Sequence, residues 1–406
     1  MRQGSLIEPQ ELIDRLGVEG LCRTADEYFH GFGADEQSNF KPFGTLDDAP
    51  RCLLHLGQVL GALQLGVGMT VVDSGAGTAW LTRALAQIGV EAIAVDPSAR
   101  ALELGEKLAA EDVRRPLWVA PRFVVFDGHR IALDDQSVDR VVSFDAFHHV
   151  PNPGEVLAEM YRVLRPGGLV ALSEPGALHA YTAASQSEMR RYDVLENNID
   201  PDELARLAHR AGFTAVWSMP LLDQPPMLNP RRRRGLVGGL PSLEVLVRLF
   251  RQLRASMRNR SITLLCKGEP AIDSRRPEGL EYRVRRRELA GQAVVGEDAA
   301  FVLEIENSGE AIWRASGPRD LGVVRLGGRL VSGPEDGVEG AWGVDLPRVG
   351  LERDLRPGEV CELLLPLRFR RTGTYELELD LVSEQVTWFR HRSSEPVPVR
   401  IEVVGR

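Results

Sequence analysis

The sequence predicts a doubly wound α/β domain followed by an all-β sandwich. Over residues 50–267, short apolar runs alternate with stretches of helical apolar spacing, the pattern of a mostly parallel sheet covered on both faces. From 278 to 406 the pattern becomes short alternating strands separated by turn residues, with no helical spacing. Residues 268–277 between them are polar, carry Gly268, Pro270 and Pro277, and are expected as a linker. A length of 406 residues suits two or three domains. Residues 1–49 are expected as an N-terminal helical segment or lid.

The elements follow in order. Cys52, Leu53, Leu56, Val59, Leu60 and Leu63 fall at helical spacing. A strand at 69–73, a helix near 78–88, a strand at 91–95 and a helix opening at Pro97–Ser98 come next. Strands at 123–126 and 138–144, a helix near 153–164 and a strand at 169–173 continue the alternation. A helix at 202–211, a strand at 213–219 and a last strand at 261–267 close the first part. In the second part, strands are expected at 281–288, 301–306, 322–326, 359–367, 374–381 and 397–404.

Composition excludes several classes. With 43% apolar and 26% charged residues the chain is neither disordered nor fibrous. No apolar run approaches the roughly 18 residues of a membrane span. A net charge of −9 gives no general attraction for nucleic acid. The excess of 46 Arg over 3 Lys reads as codon bias and carries no functional conclusion. Cys22, Cys52, Cys266 and Cys361 are scattered without a CxxC, which argues against a disulfide scaffold or structural zinc. The adjacent His148 and His149 are expected to point apart, and no metal is assigned. The N-terminus carries Glu8, Glu11 and Asp14 and lacks the apolar stretch of a secretory signal, so a cytoplasmic location is expected.

The chemistry concentrates in Val71-Val72-Asp73-Ser74-Gly75-Ala76-Gly77-Thr78-Ala79-Trp80. A buried strand ends in a carboxylate, and a glycine turn then opens a helix, letting backbone approach a ligand. A dinucleotide fingerprint would need Gly at position 80, where Trp80 stands. Asp73 also suits a pyrophosphate badly and a cationic ligand well. Nineteen residues after Gly77, the second strand ends in Asp96, placed to accept the two hydroxyls of a ribose. The next strand ends in Asp127-Gly128, where a carboxylate can accept an adenine amino group. Three carboxylates at successive strand ends describe a cationic nucleoside without phosphates, which is S-adenosylmethionine.

With these residues the chain resembles the class I S-adenosylmethionine-dependent methyltransferases over roughly residues 20–267. The resemblance implies a Rossmann-like sheet, S-adenosylmethionine as cofactor, and cofactor-binding roles for Asp73, Gly75, Gly77, Asp96, Asp127 and Gly128. Asp139–Ser143, His148-His149-Val150-Pro151 and Leu164-Arg165-Pro166-Gly167-Gly168 are similar to later landmarks of that family. Ala79 stands where the family usually has Gly and is expected to narrow the pocket. Tyr28 and Phe29, with Lys41 and Phe43, are similar to N-terminal segments that fold over the cofactor.

A hydroxyl acceptor needs a base, and it should sit over the ends of the fourth and fifth strands. His149 is the first candidate there and Glu174 the second. His179, Tyr181, Glu188 and Glu196 follow in a polar segment beside that position. The acceptor is expected to be a glycan, a glycan precursor or a small molecule.

Residues 221–260 form an insert. Within 231–260 there are nine Arg and one acidic residue, Glu244. From Pro241 a basic amphipathic helix is expected, with Leu243, Leu246, Val247, Phe250, Leu253 and Met257 on one face and Arg251, Arg254 and Arg258 on another. Such a helix suits peripheral contact with an anionic membrane; packing of its apolar face on the domain is the expected arrangement.

The second part resembles the immunoglobulin-like sandwiches appended to some bacterial polysaccharide enzymes and transporters. The resemblance rests on the Asn307-Ser308-Gly309 turn before Trp313, the Pro357-Gly358 turn and the strand start at Gly373–Tyr375. It implies a module that serves a glycan, with Trp313, Trp342 and Trp388 as candidates to stack on sugars. The leading expectation is O-methylation of a glycan or glycan precursor. The alternatives are a small-metabolite methyltransferase with an oligomerising sandwich, and a non-catalytic binding protein that kept the fold.

Overall fold

The computed structural model describes residues 6–33, 36–112, 119–221, 230–238, 243–392 and 394–405. The chain divides into two compact units, one of residues 1–65 and 69–270, the other of residues 66–68 and 271–406.

The first unit opens with α1 (Pro9–Phe29), broken at Gly17 where φ is +65°, and α2 (Ala49–Leu63). Then follow β1 (Thr70–Ser74), α3 (Trp80–Gln87), β2 (Glu91–Asp96), α4 (Ala99–Glu111), β3 (Arg122–Val125), β4 (Val138–Phe144), α5 (Pro153–Val163) and β5 (Leu164–Pro175). The unit ends with α6 (Ala183–Tyr192), α7 (Pro201–Ala211), β6 (Ala215–Pro220), α8 (Pro230–Gly238), α9 (Leu243–Asn259) and β7 (Arg260–Cys266).

Seven strands form one sheet in the order β3-β2-β1-β4-β5-β7-β6. The pairs β1–β2, β1–β4, β2–β3 and β4–β5 are parallel; β7 runs antiparallel to β5 and β6. The order reverses beside β1, which leaves a crevice outside the carboxyl ends of β1 and β4. The continuous apolar runs of these strands serve both faces. Val71, Val142 and Ala171 pack with Leu56, Val59, Leu81 and Leu85 from α2 and α3. Their sequence neighbours Val72, Val141 and Val170 pack with Leu157, Met160 and Leu204 from α5 and α7. Adjacent strand residues point to opposite faces, so each must be apolar.

The insert departs from expectation. Residues 222–229 and 239–242, which include the expected helix start at Pro241, lie outside the described residues. α9 rests against β6 and β7 through the arc carrying Val245, Leu249 and Ser256, which are buried or half-buried. The face expected to pack is instead largely open: Leu246 is 47% exposed, Phe250 64% and Leu253 43%, and of that face Met257 alone is half-buried.

The second unit holds β8 (Tyr282–Leu289), β9 (Gln292–Val294), β10 (Asp298–Asn307), β11 (Val324–Ser332), β12 (Val349–Gly350), β13 (Val360–Arg368), β14 (Gly373–Ser383), β15 (Thr387–Trp388) and β16 (Val397–Val404). They form two sheets, β13-β10-β8 and β12-β11-β14-β16-β9, with β15 paired to β14. Alternate residues Leu303, Ile305, Leu363 and Leu365 of one sheet share a buried cluster with Leu326, Leu377, Leu379 and Ile401 of the other, which makes a two-layer packing.

Two expectations about this unit change. Residues 271–277 are not a linker. Ser274 is fully buried, its Oγ donates to the Gly322 carbonyl at 2.6 Å, and its N–H bonds the Ile312 carbonyl at 2.9 Å. The polar composition read as a linker reflects buried, bonded polar groups. The tryptophans also differ from one another. Trp313 is core, Trp388 has the guanidiniums of Arg348 and Arg390 5.0 and 4.9 Å from its ring centroid, and Trp342 is 88% exposed.

Candidate functional site

The turn after β1 sits at the crevice. The N–H groups of Gly75 and Ala76 both bond the Val95 carbonyl, at 2.8 and 3.2 Å. Gly75 has φ +76°, and a Cβ there would meet the Ala146 Cβ at 2.4 Å, so this position requires glycine on both conformational and steric grounds. The Gly77 N–H donates to Asp96 Oδ2 at 2.7 Å. The Ser98 N–H donates to Asp96 Oδ1 at 2.8 Å. Asp96 is thereby fixed at the end of β2. Burial pushes its carboxyl up to about 6, against the pull of those two bonds.

A cavity of about 350 Å³ opens over these groups, within the usual range for a ligand site. Tyr28, Phe29 and Phe32 line one side, and Ser74–Thr78, Trp80 and Asp96 the floor. Asp145–Phe147, His149, Asn152, Glu188 and Glu196 complete the wall. α1 is strapped across it. Ser98 Oγ donates to Asp26 at 2.9 Å, and Arg15 pairs with Asp193 at 2.6 Å. The rings of Tyr28 and Tyr192 meet edge to face at 5.4 Å.

Of the expected cofactor residues, Gly75, Gly77, Asp96, Gly128 and Tyr28 line this cavity; Asp73 and Asp127 do not. Asp73 is buried behind the turn and accepts the Thr82 hydroxyl at 2.6 Å; burial pushes it up to about 7. Asp127 is exposed. Its Oδ1 accepts the N–H groups of His129 and Arg130, at 2.8 and 2.7 Å, and these bonds hold its carboxyl below the ordinary value. It closes an Asp-Gly turn. Gly128 does face the cavity, at φ +93°, where a Cβ would strike Val18 Cγ1 at 2.5 Å. Ala79 is fully buried and adopts φ +58°. It faces Gly105 of α4, where a Cβ would come within 2.9 Å of its own, and so does not narrow the pocket.

The acceptor end contains a polar network. Glu174, at the end of β5, is buried. Its Oε1 accepts the N–H groups of Ala146 and Phe147 at 3.1 and 2.8 Å, and its Oε2 bonds His148 Nδ1 at 2.7 Å. It does not line the cavity; it anchors the turn that carries both histidines. Burial acts to lower His148, but the Glu174 hydrogen bond and charge hold it above the ordinary value. His149 lines the cavity with its side chain 39% exposed. Its Nδ1 donates to the Leu195 carbonyl at 2.6 Å, which leaves Nε2 as the lone-pair nitrogen. Partial burial and the neighbouring His148 hold His149 down to about 4. Glu196 meets His179 Nε2 at 2.7 Å; that bond and the imidazoles around it keep its carboxyl below the ordinary value despite burial. Burial and Glu196 push Glu188 up.

The two adjacent histidines do not point apart. Their ring centroids are 4.0 Å from each other, because Glu174 and Leu195 anchor the two Nδ1 atoms on one side of the turn. His148, His149 and Glu196 bring ligand-type atoms within 4.8 Å of one another. Each already holds a hydrogen bond of 2.6–2.7 Å, to Glu174, Leu195 or His179, so the group closes as a hydrogen-bonded network. Trp80, Asp145 and Asn152 were not anticipated as lining residues. Trp80 carries a signal in the sequence beyond the absence of glycine, an aromatic at the first helical position after the turn.

Fold and crevice together define an α/β domain with a ligand-sized cavity at the switch point of its sheet. Residues 72–172 match a family described as a methyltransferase domain. A ubiquinone biosynthesis O-methyltransferase of Cupriavidus pinatubonensis is 30% identical over 191 residues, 45% of this chain and 72% of that protein. The chain belongs to the class I methyltransferases, and its first unit is a methyltransferase domain. An uncharacterized 37.1 kDa protein in a transposon of Streptomyces fradiae is 28% identical over 52% of this chain and 61% of its own length. An uncharacterized methyltransferase of Mycobacterium sp. strain JLS is 34% identical over 32% of this chain and 48% of its own length. The chain thus spans about half to three-fifths of these two relatives. A solved geranyl diphosphate methyltransferase, in complex with GPP and sinefungin, is 14% identical with a TM-score of 0.44, over 61% of this chain and 98% of that one.

Proposed function

We propose that this chain transfers the methyl group of S-adenosylmethionine to a hydroxyl of a glycan or glycan precursor. The observation that carries the reading is one cavity that joins the glycine turn and Asp96 at one end to His149 at the other. Bound S-adenosylmethionine supplies an activated methyl on a sulfonium, so positioning accounts for much of the rate. Asp96 keeps unused lone pairs toward the cavity and would accept the ribose hydroxyls. Gly75 and Gly77 let the backbone lie against the nucleoside. Tyr28 and Phe29 on α1 would cover it and exclude water.

His149 is the base: Nδ1–H is committed to Leu195 and Nε2 is free to take the acceptor proton as the oxygen attacks. Glu174 is a positioning residue that fixes the turn through its bonds to Ala146, Phe147 and His148. Glu188 and Glu196 would accept other hydroxyls of the acceptor. The two-sheet second unit, read as immunoglobulin-like, would hold a longer glycan, with Trp342 the exposed aromatic suited to stacking.

A second reading is favoured by the aromatic lining of Tyr28, Phe29, Phe32, Trp80, Phe144 and Phe147. Such walls suit a flat small-molecule acceptor, as the name of the Cupriavidus relative would suggest. The test is mass spectrometry of products formed from labelled S-adenosylmethionine and a lysate fractionated into polysaccharide and small-molecule pools. Label in an ether-linked sugar methyl supports the first reading. Label confined to small molecules supports the second, and none in either pool overturns both.

A further inference from the structure

The exposed face of α9 has no role in the cavity chemistry. Each residue advances about 100° around a helix, and three arcs emerge. Val245, Leu249, Gln252 and Ser256 turn inward, all buried or half-buried. Leu243, Leu246, Val247, Phe250 and Leu253 occupy about 120° of circumference, and all five are exposed. Arg248, Arg251 and Arg258 lie on the next arc, and Arg254 sits within the apolar one; all four are exposed. α8 adds exposed Arg233 and Arg234. Glu244 is the only acidic residue in either helix.

Charge complementarity selects the occupant. The chain as a whole carries −9, yet these two helices are strongly basic. A groove for an ordinary protein partner does not call for arginines flanking large open aliphatic and aromatic groups. A bilayer interface does: apolar side chains enter the acyl boundary while guanidiniums meet anionic headgroups. The helix also stands beside the cavity. The Gly176 N–H, just past the end of β5, bonds the Asn259 carbonyl at 2.9 Å, and Arg260 pairs with the cavity residue Asp145.

We propose that α9 docks the first unit on an anionic lipid bilayer, bringing the mouth of the cavity to an acceptor carried on that membrane. The second clause rests on the methyl-transfer reading; the docking does not. The docking depends on headgroup charge and on buried apolar area together, so it should weaken with salt and about fivefold for each arginine removed.

The experiment is co-sedimentation of the full chain with phosphatidylcholine vesicles, with and without phosphatidylglycerol. Calorimetry of S-adenosylmethionine binding is run on the same samples. The variants are Leu246→Ser/Phe250→Ser and Arg251→Gln/Arg254→Gln/Arg258→Gln. Their substituted side chains are exposed, so both should melt like the parent. The expected result is sedimentation with phosphatidylglycerol vesicles alone, reduced at least tenfold in both variants, with cofactor affinity unchanged. Equal sedimentation with both vesicle types, none with either, or full binding by the variants would overturn the docking. So would a dimer of the parent that Leu246→Ser/Phe250→Ser dissociates, because the face would then join two copies. Loss of cofactor binding in the parent would overturn the methyl-transfer reading and leave the docking result standing.

Discussion

Asp96 tests the cofactor assignment most directly. Its two oxygens accept the Gly77 and Ser98 N–H groups at 2.7 and 2.8 Å, and the remaining lone pairs would meet the ribose hydroxyls. Hydrogen bonds to a charged acceptor are worth about 1.5–3 kcal/mol each. With some compensation by water, Asp96→Ala should cost about 2–4 kcal/mol of binding, or roughly 30- to 900-fold in Kd. The variant also leaves two N–H donors without their acceptor, so the melting temperature should fall as well. Asp96→Asn separates the effects, because it keeps the shape and removes the charge. The pH dependence adds a signature. Burial places the Asp96 carboxyl at about 6, and the ionised form is the better acceptor. Cofactor affinity should therefore fall as pH drops below about 6, approaching tenfold per unit, and this slope should vanish in Asp96→Asn. Calorimetry from pH 8 to 5 on the three proteins measures both. Unchanged affinity in Asp96→Ala, or an identical pH slope in Asp96→Asn, would refute the ribose assignment.

Other outcomes are expected from the same geometry. Asp73→Asn should raise stability at pH 8 relative to the parent. The parent's raised carboxyl, at about 7, holds a proton that contributes stability below the ordinary aspartate range and is lost as pH rises through 7. Equal melting-temperature differences at pH 5 and 8 would contradict it. Gly75→Ala should destabilise and abolish cofactor binding, since the left-handed conformation costs about 1–2 kcal/mol before the contact with Ala146 is counted. A normally melting, binding variant would show that the turn relaxes. His149→Gln should lower kcat by about 10²–10⁴-fold with cofactor Kd unchanged, measured once an acceptor is in hand; a parallel rise in Kd would place His149 at the cofactor instead. A chain ending at Pro270 should keep the parent's cofactor Kd, because every cavity residue lies between 18 and 196.

The sequence by itself determined the first unit's sheet and the glycine turn at its crevice. Asymmetric patterns made this legible: buried strands of the Val71–Val72 type, apolar on both sides, and glycines at positions that only glycine can occupy. Gly75, with a positive φ and Ala146 far inside van der Waals range of its missing Cβ, leaves a mark in the sequence because a side chain there would clash. The alternation of the second unit was equally readable. Folding, through a local turn at Asp127 and longer-range packing elsewhere, decided which carboxylates face the cavity. Asp73, Asp96 and Asp127 all stand at or just past strand ends in the sequence. Yet Thr82 draws Asp73 inward, the His129 and Arg130 amides draw Asp127 into a turn, and only Asp96 stays at the floor. It also decided that Glu174 supports the histidines, that His148 and His149 lie side by side, and that the apolar arc of α9 faces outward. Each of these depends on a partner distant in sequence, such as Leu195 for His149, and a local pattern of residues does not encode which distant group will arrive. The same limit explains residues 271–277. Their polarity is visible in the sequence, but whether polar groups meet water or the Gly322 and Ile312 carbonyls is settled only when the chain folds.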